Sequence, residues 1–224
     1  MVLAFLAMTG VLLSLVLLAT GVHPTPKPRN GDTFVSVLAT AVIRDVRQTP
    51  HLVAFGFLVA LVVHELGHAV LCRVEGIDIA SSGVWLLGPI PVGGFVEIDA
   101  ENRQNSGYPA RLRILAVGVA INLVVGVSSL VALWLIRGAL LSASSGETVV
   151  TALFWVGSVN LALGLFNCLP SIPLDGGHLI RTGTEALAVR MPRRFGGKTA
   201  TGVAMGIWLL FMGSLLGTLV RIVI

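Results

Sequence analysis

Charge is what this sequence most conspicuously lacks. Asp, Glu, Lys and Arg make up 12% of its 224 residues, about half the share of a soluble domain. Hydrophobic residues make up 55%, so the chain reads as an integral membrane protein on composition alone. Cysteine is nearly absent. Cys72 and Cys168 cannot form a disulfide framework, and each ends an apolar run as a small hydrophobe would. The net charge of +4 comes from basic residues scattered between apolar segments. That is the signature of positive flanks on membrane spans, not of a basic stripe for nucleic acid. No internal repeat is visible, and residues 138–146 are a small-residue connection too short to hold a folded domain.

Long apolar runs dominate what is present. Residues 1–22 are uncharged and long enough to span a bilayer, without the basic head and short core of a signal peptide. The linker 23–51 opens on His23-Pro24-Thr25-Pro26 and then places Phe34, Leu38 and Val42 at helical spacing, an amphipathic surface helix. Further spans are expected over 52–72, 113–136, 149–166 and 200–220, with a more polar surface helix over 179–190. Between them, residues 79–99 are apolar but punctuated by Gly and Pro, and read as a β-hairpin or re-entrant loop at membrane depth. The expected fold is therefore a single all-α membrane domain of about five transmembrane helices, or six, with one small embedded β-hairpin.

The chemistry is concentrated in the second span, in His64-Glu65-Leu66-Gly67-His68. Residues four apart share a helix face, so His64 and His68 can reach one cation. Glu65 lies one step round, placed to take a proton from a water beside that cation. Ionisable residues inside a span are costly and mark function.

A third ligand follows from parity. The second and fourth spans run in the same direction, and the fourth ends in Asn167-Cys168-Leu169-Pro170-Ser171-Ile172-Pro173-Leu174-Asp175-Gly176-Gly177. Asp175 therefore falls on the same side of the bilayer as the two histidines. Pro170 and Pro173 break the helix, and Gly176-Gly177 allow a sharp turn that presents Asp175 on irregular backbone. Two His, one carboxylate and an open position suit catalytic Zn2+, and also iron. His178 is turned away in this reading, and His23 and His51 sit at span ends. Asn122, within the third span, suits either an interhelical hydrogen bond or a site role. Nine Lys and Arg share the metal's side against six opposite, which puts the metal on the cytoplasmic side.

These elements together resemble the site-2 proteases, the intramembrane zinc metalloproteases. The resemblance rests on His64-Glu65-Leu66-Gly67-His68, then Gly88, Pro91, Gly93-Gly94-Phe95-Val96, then Asn122, then Asn167, Pro170 and Pro173-Leu174-Asp175-Gly176-Gly177. It covers about residues 55–180. It implies His64, His68 and Asp175 as zinc ligands, Glu65 as the catalytic acid and base, and Asn167 as a holder of substrate or oxyanion. Expected partners are the bilayer of a prokaryotic cell and transmembrane protein substrates. An unwound substrate segment is expected to bind along 84–97 as an added strand, with Gly93, Gly94 and Phe95 in contact. Many members carry a PDZ-like domain between the third and fourth spans; here the 138–146 linker stands there, as in a PDZ-free branch or a shortened form. Prenyl-peptide-processing proteases also carry this motif but take a downstream Glu as third ligand. A metal transporter would spread ionisable groups over several spans, and an inactive scaffold would not need Glu65.

Overall fold

The structure is a computed structural model, describing residues 46–87, 90–99, 106–140, 146–170 and 174–189, with Gly202 and Gly206. The expected first span, the expected last span apart from Gly202 and Gly206, and most of the 23–51 linker lie outside these residues. The described elements are helix α1 (Pro50–Val74), strands β1 (Ile79–Leu87) and β2 (Ile90–Ile98), and helices α2 (Tyr108–Leu140), α3 (Gly146–Asn167) and α4 (Asp175–Ala188). Helices α1, α2 and α3 are long and apolar enough to cross a membrane.

The chain forms two compact units, Met1–Val63 with Ala120–Phe166, and His64–Val119 with Asn167–Ile224. In the first, Ala60, Leu133, Val150, Phe154, Trp155, Val159 and Leu163 form the core. Lipid tails are as apolar as leucine, so close contact and hydrogen bonds must hold such helices together. Gly56 supplies the contact: a Cβ there would lie 2.8 Å from the Trp155 carbonyl oxygen. Two hydrogen bonds supply direction. Asn122, fully buried, donates from Nδ2 to the Ala60 carbonyl at 3.1 Å, and Trp155 donates from Nε1 to Thr49 Oγ1 at 3.0 Å.

In the second unit α1 stops where its sequence allows a stop. Gly76 has φ +67, a conformation that costs glycine nothing. Its N–H donates to the Arg73 carbonyl and that of Ile77 to the Cys72 carbonyl, closing the helix in a Schellman arrangement. Ile77 then packs on Cys72 and Ile114, with Ile79, Ile98 and Ala110 around them, and the chain enters β1.

The Gly- and Pro-punctuated stretch is an antiparallel hairpin, pairing Ile79 with Ile98, Gly83 with Phe95 and Leu87 with Ile90. The pairing shifts between Trp85 and Leu86, where Pro91 comes opposite; proline has no N–H for the ladder and is tolerated at such irregularities. Phe95 packs edge-on against Trp85 at 6.2 Å.

One local expectation is corrected. Asp175 does not stand on irregular backbone, because it is the first residue of α4. Gly176 and Gly177 are helical, and neither has positive φ. A Cβ on Gly176 would collide with the carbonyls of Cys168 and Leu169, so this glycine lets a helix begin against the preceding loop.

Candidate metal centre

All the residues of this site belong to the second unit. His64 and His68 lie one turn apart on α1, both buried. Their Nε2 atoms are 3.1 Å apart. Asp175, from the start of α4, brings Oδ2 to 3.0 Å from His64 Nε2 and 3.3 Å from His68 Nε2. Among the described residues these three are the group of His, Cys, Asp or Glu side chains able to share one ion.

The donor set fits zinc. Bonds of about 2.0–2.1 Å at a tetrahedral centre put neighbouring ligand atoms roughly 3.4 Å apart, close to the separations seen. Asp175 Oδ2 is buried and engages no hydrogen bond of good geometry, although two ring nitrogens lie beside it. Three lone-pair atoms converging in a dry space repel one another unless a cation or proton lies between them. The tautomer of His68 agrees. Its Nδ1 lies 2.7 Å from the carbonyl oxygen of Ile114 on α2; Nδ1–H donates there, so in the neutral ring the lone pair is on Nε2, facing the cluster.

Glycine sets how closely the surrounding backbone approaches. On α2, a Cβ at Gly118 would collide with His68 Nε2 and lie 2.7 Å from His64 Cε1. On β2, a Cβ at Gly94 would lie 2.7 Å from Glu65 Oε1. The helix thus backs the imidazoles and the hairpin lies over the carboxylate.

Electrostatics at the Asp175 end follow from the same packing. Burial pushes the Asp175 carboxyl up, but the two imidazoles outweigh it and hold it at about 2, so it is ionised at neutral pH. Partial burial and the Asp175 charge raise the Cys168 thiol, which makes that neighbour a poor rival ligand.

The structure brings His64, His68, Asp175, Glu65 and Gly94 together. Gly93 has open space where a side chain would stand, and Phe95 turns to Trp85. Asn167 is the last residue of α3 and half-buried. Asn122 lies in the other unit, where its amide ties to Ala60. Sequence reasoning missed the Ile114 carbonyl, which no residue letter announces, and the spacing role of Gly118, although Gly118 stood inside the matched stretch.

A family model for peptidase family M50 matches residues 52–152 and 135–212. Among curated proteins, the chain is 30% identical over 179 residues to "Putative zinc metalloprotease Rip3" of Mycobacterium tuberculosis, covering 70% of this chain and 42% of that protein. It is 28% identical over 143 residues to "Putative zinc metalloprotease sll0528" of Synechocystis, covering 61% and 34%. It is 28% identical over 123 residues to "Zinc metalloprotease MJ0392" of Methanocaldococcus jannaschii, covering 55% and 31%. The chain therefore spans between about a third and two fifths of the length of these relatives.

Proposed function

Because the chain belongs to peptidase family M50, we propose that it is a zinc-dependent endopeptidase that hydrolyses peptide bonds within or near transmembrane helices of membrane proteins. The observation that carries this is the convergence of His64 Nε2, His68 Nε2 and Asp175 Oδ2 within 3.3 Å of one another, with the Glu65 carboxylate on the same helix turn. These three side chains would hold the zinc, which when bound polarises a carbonyl and makes water acidic enough to deprotonate near neutral pH.

Glu65 then takes a proton from the attacking water and returns it to the leaving amine. The Asn167 amide offers a hydrogen bond to the oxyanion. The substrate has to unwind, because a helical peptide bond is shielded by its own hydrogen bonds. The hairpin supports the reading, since its outer edge can take an extended segment as an added strand beside Gly93, Gly94 and Phe95. We place the protein in a prokaryotic cell membrane with this site toward the cytoplasm, from the excess of Lys and Arg on its side.

The test is cleavage of a single-span substrate by purified protein in detergent. Glu65→Gln should lower kcat by about 10²- to 10⁴-fold while retaining bound zinc. A variant cleaving as fast as wild type overturns the proposal.

A further inference from the structure

We propose that the ion pair between Glu75 and Arg113 is a positioning device for the metal centre, acting through the Ile114 carbonyl on His68. This rests on the reading that His64, His68 and Asp175 hold a metal ion.

Arg113 donates from Nε to Glu75 Oε1 at 2.7 Å and from Nη2 to Glu75 Oε2 at 2.8 Å. The planar guanidinium thus meets the carboxylate in a two-point contact whose direction is fixed. The Glu75 side chain is 17% exposed and that of Arg113 is 57% exposed. The carboxyl of Glu75 is held below its usual range by these hydrogen bonds from Arg113, so the pair is charged at neutral pH.

The pair stands at the end of a continuous seam. On α1 and just beyond it, His68, Cys72 and Glu75 recur at helical spacing and share a face. On α2, Arg113 and Ile114 are adjacent, and Gly118 follows Ile114 by one turn. The placements match in order: His68 with Gly118 and the Ile114 carbonyl, Cys72 and the Ile114 side chain in one buried cluster with Ile77, Glu75 with Arg113.

This seam has to hold its register along the helix axis. A slide of one residue is about 1.5 Å. It would break the 2.7 Å hydrogen bond that orients His68 and move a side chain to where Gly118 gives the rings room. Apolar packing supplies little resistance to sliding, because apolar contacts are non-directional and lipid is an equally good neighbour. A two-point ion pair one residue from the critical carbonyl does resist it, because a bidentate Arg–carboxylate contact is directional and keeps its geometry even with one partner exposed.

The experiment uses the full chain in detergent. Glu75→Gln, Arg113→Gln, the double variant and the charge-exchanged E75R/R113E are compared by zinc affinity in chelator competition, by the visible spectrum of the cobalt-substituted protein, and by thermal stability. Each single variant should bind zinc about ten-fold more weakly, the low end for loss of a partner that orients a ligand. Each should also alter the cobalt spectrum. The double variant should be no worse than either single, and the exchanged pair should recover affinity. If a neutral single does not fold, Glu75→Asp keeps the charge, shortens the reach, and carries the same expectation. Wild-type affinity with a wild-type cobalt spectrum in the single variants overturns the proposal even if stability falls, since the pair then only supports the fold. If the wild-type protein binds no metal, or His68→Ala keeps it, the metal reading itself fails and this inference falls with it.

Discussion

The backbone of Gly94 lies so close to Glu65 that a methyl group at position 94 would stand 2.5 Å from the Glu65 Cγ and 2.7 Å from its Oε1. The hairpin therefore controls where the proposed general base can point. Gly94→Ala should displace the carboxylate or lift the strand, and overpacking of this kind costs about 1–3 kcal/mol. We expect kcat to fall by at least about ten-fold, while the zinc content stays at the wild-type ratio because the ligand residues are not touched. Turnover at the wild-type rate would remove Gly94 from the site.

Gly118→Ala should produce the complementary lesion. Alanine favours a helix over glycine by about 1 kcal/mol, so α2 itself gains. The new methyl group nonetheless meets both imidazoles, which are carried on α1, and the His68 ring is further held by the Ile114 carbonyl. The expected outcome is loss of bound metal with the helical content retained, read by metal analysis beside circular dichroism.

Asp175 sets a pH dependence in the metal-free protein. Its folded value of about 2 lies below the ordinary 3.8. A depressed carboxyl contributes stability that is fully present above the unfolded value and is lost as pH falls toward the folded one. The difference, 3.8 − 2, corresponds to roughly 2 kcal/mol. Followed between about pH 5 and pH 2 by thermal melts with a chelator present, the stability advantage of wild type over Asp175→Asn should be complete at the upper end and vanish near pH 2. An advantage that persisted unchanged at pH 2 would show that the carboxylate is not held by the imidazoles.

Asn122→Leu tests what the buried amide is for. Its hydrogen bond to Ala60 is of a kind worth about 0.6 kcal/mol on average and up to roughly 1.7 in membrane proteins. We expect a melting temperature lower by about 1–5 °C with zinc binding intact. Loss of zinc on this substitution would instead connect Asn122 to the metal centre.

Much of this molecule could be read without a structure, and the reason is locality. The spacing of His64 and His68 puts both on one face through helix geometry alone, and Glu65 follows as their neighbour. Gly88, Pro89, Pro91, Gly93 and Gly94 rule out a helix between apolar flanks, which leaves a hairpin or a re-entrant loop, and the strand pairing decides for the hairpin. The charge-poor runs yield the long helices, although α2 extends from Tyr108 to Leu140, beyond the apolar 113–136, because a helix does not end where its hydrophobicity does. Gly176 and Gly177 misled for the same local reason. Two glycines read as a turn, and only the nearby carbonyls of Cys168 and Leu169 reveal a helix start that tolerates no side chain.

What the sequence by itself determined, then, is the histidine pair with its glutamate, the absence of a helix over 79–99 and the three long apolar helices. Tertiary structure alone decided that Asp175 Oδ2 comes within 3.0 Å of His64, that the amide of Asn122 reaches Ala60, and that Gly94 and Gly118 are spacers. Only tertiary structure shows that His68 is oriented by a main-chain carbonyl. Each of these depends on atoms from segments distant in sequence or on backbone common to every residue. Neither leaves a periodicity or a residue type to be read along the chain.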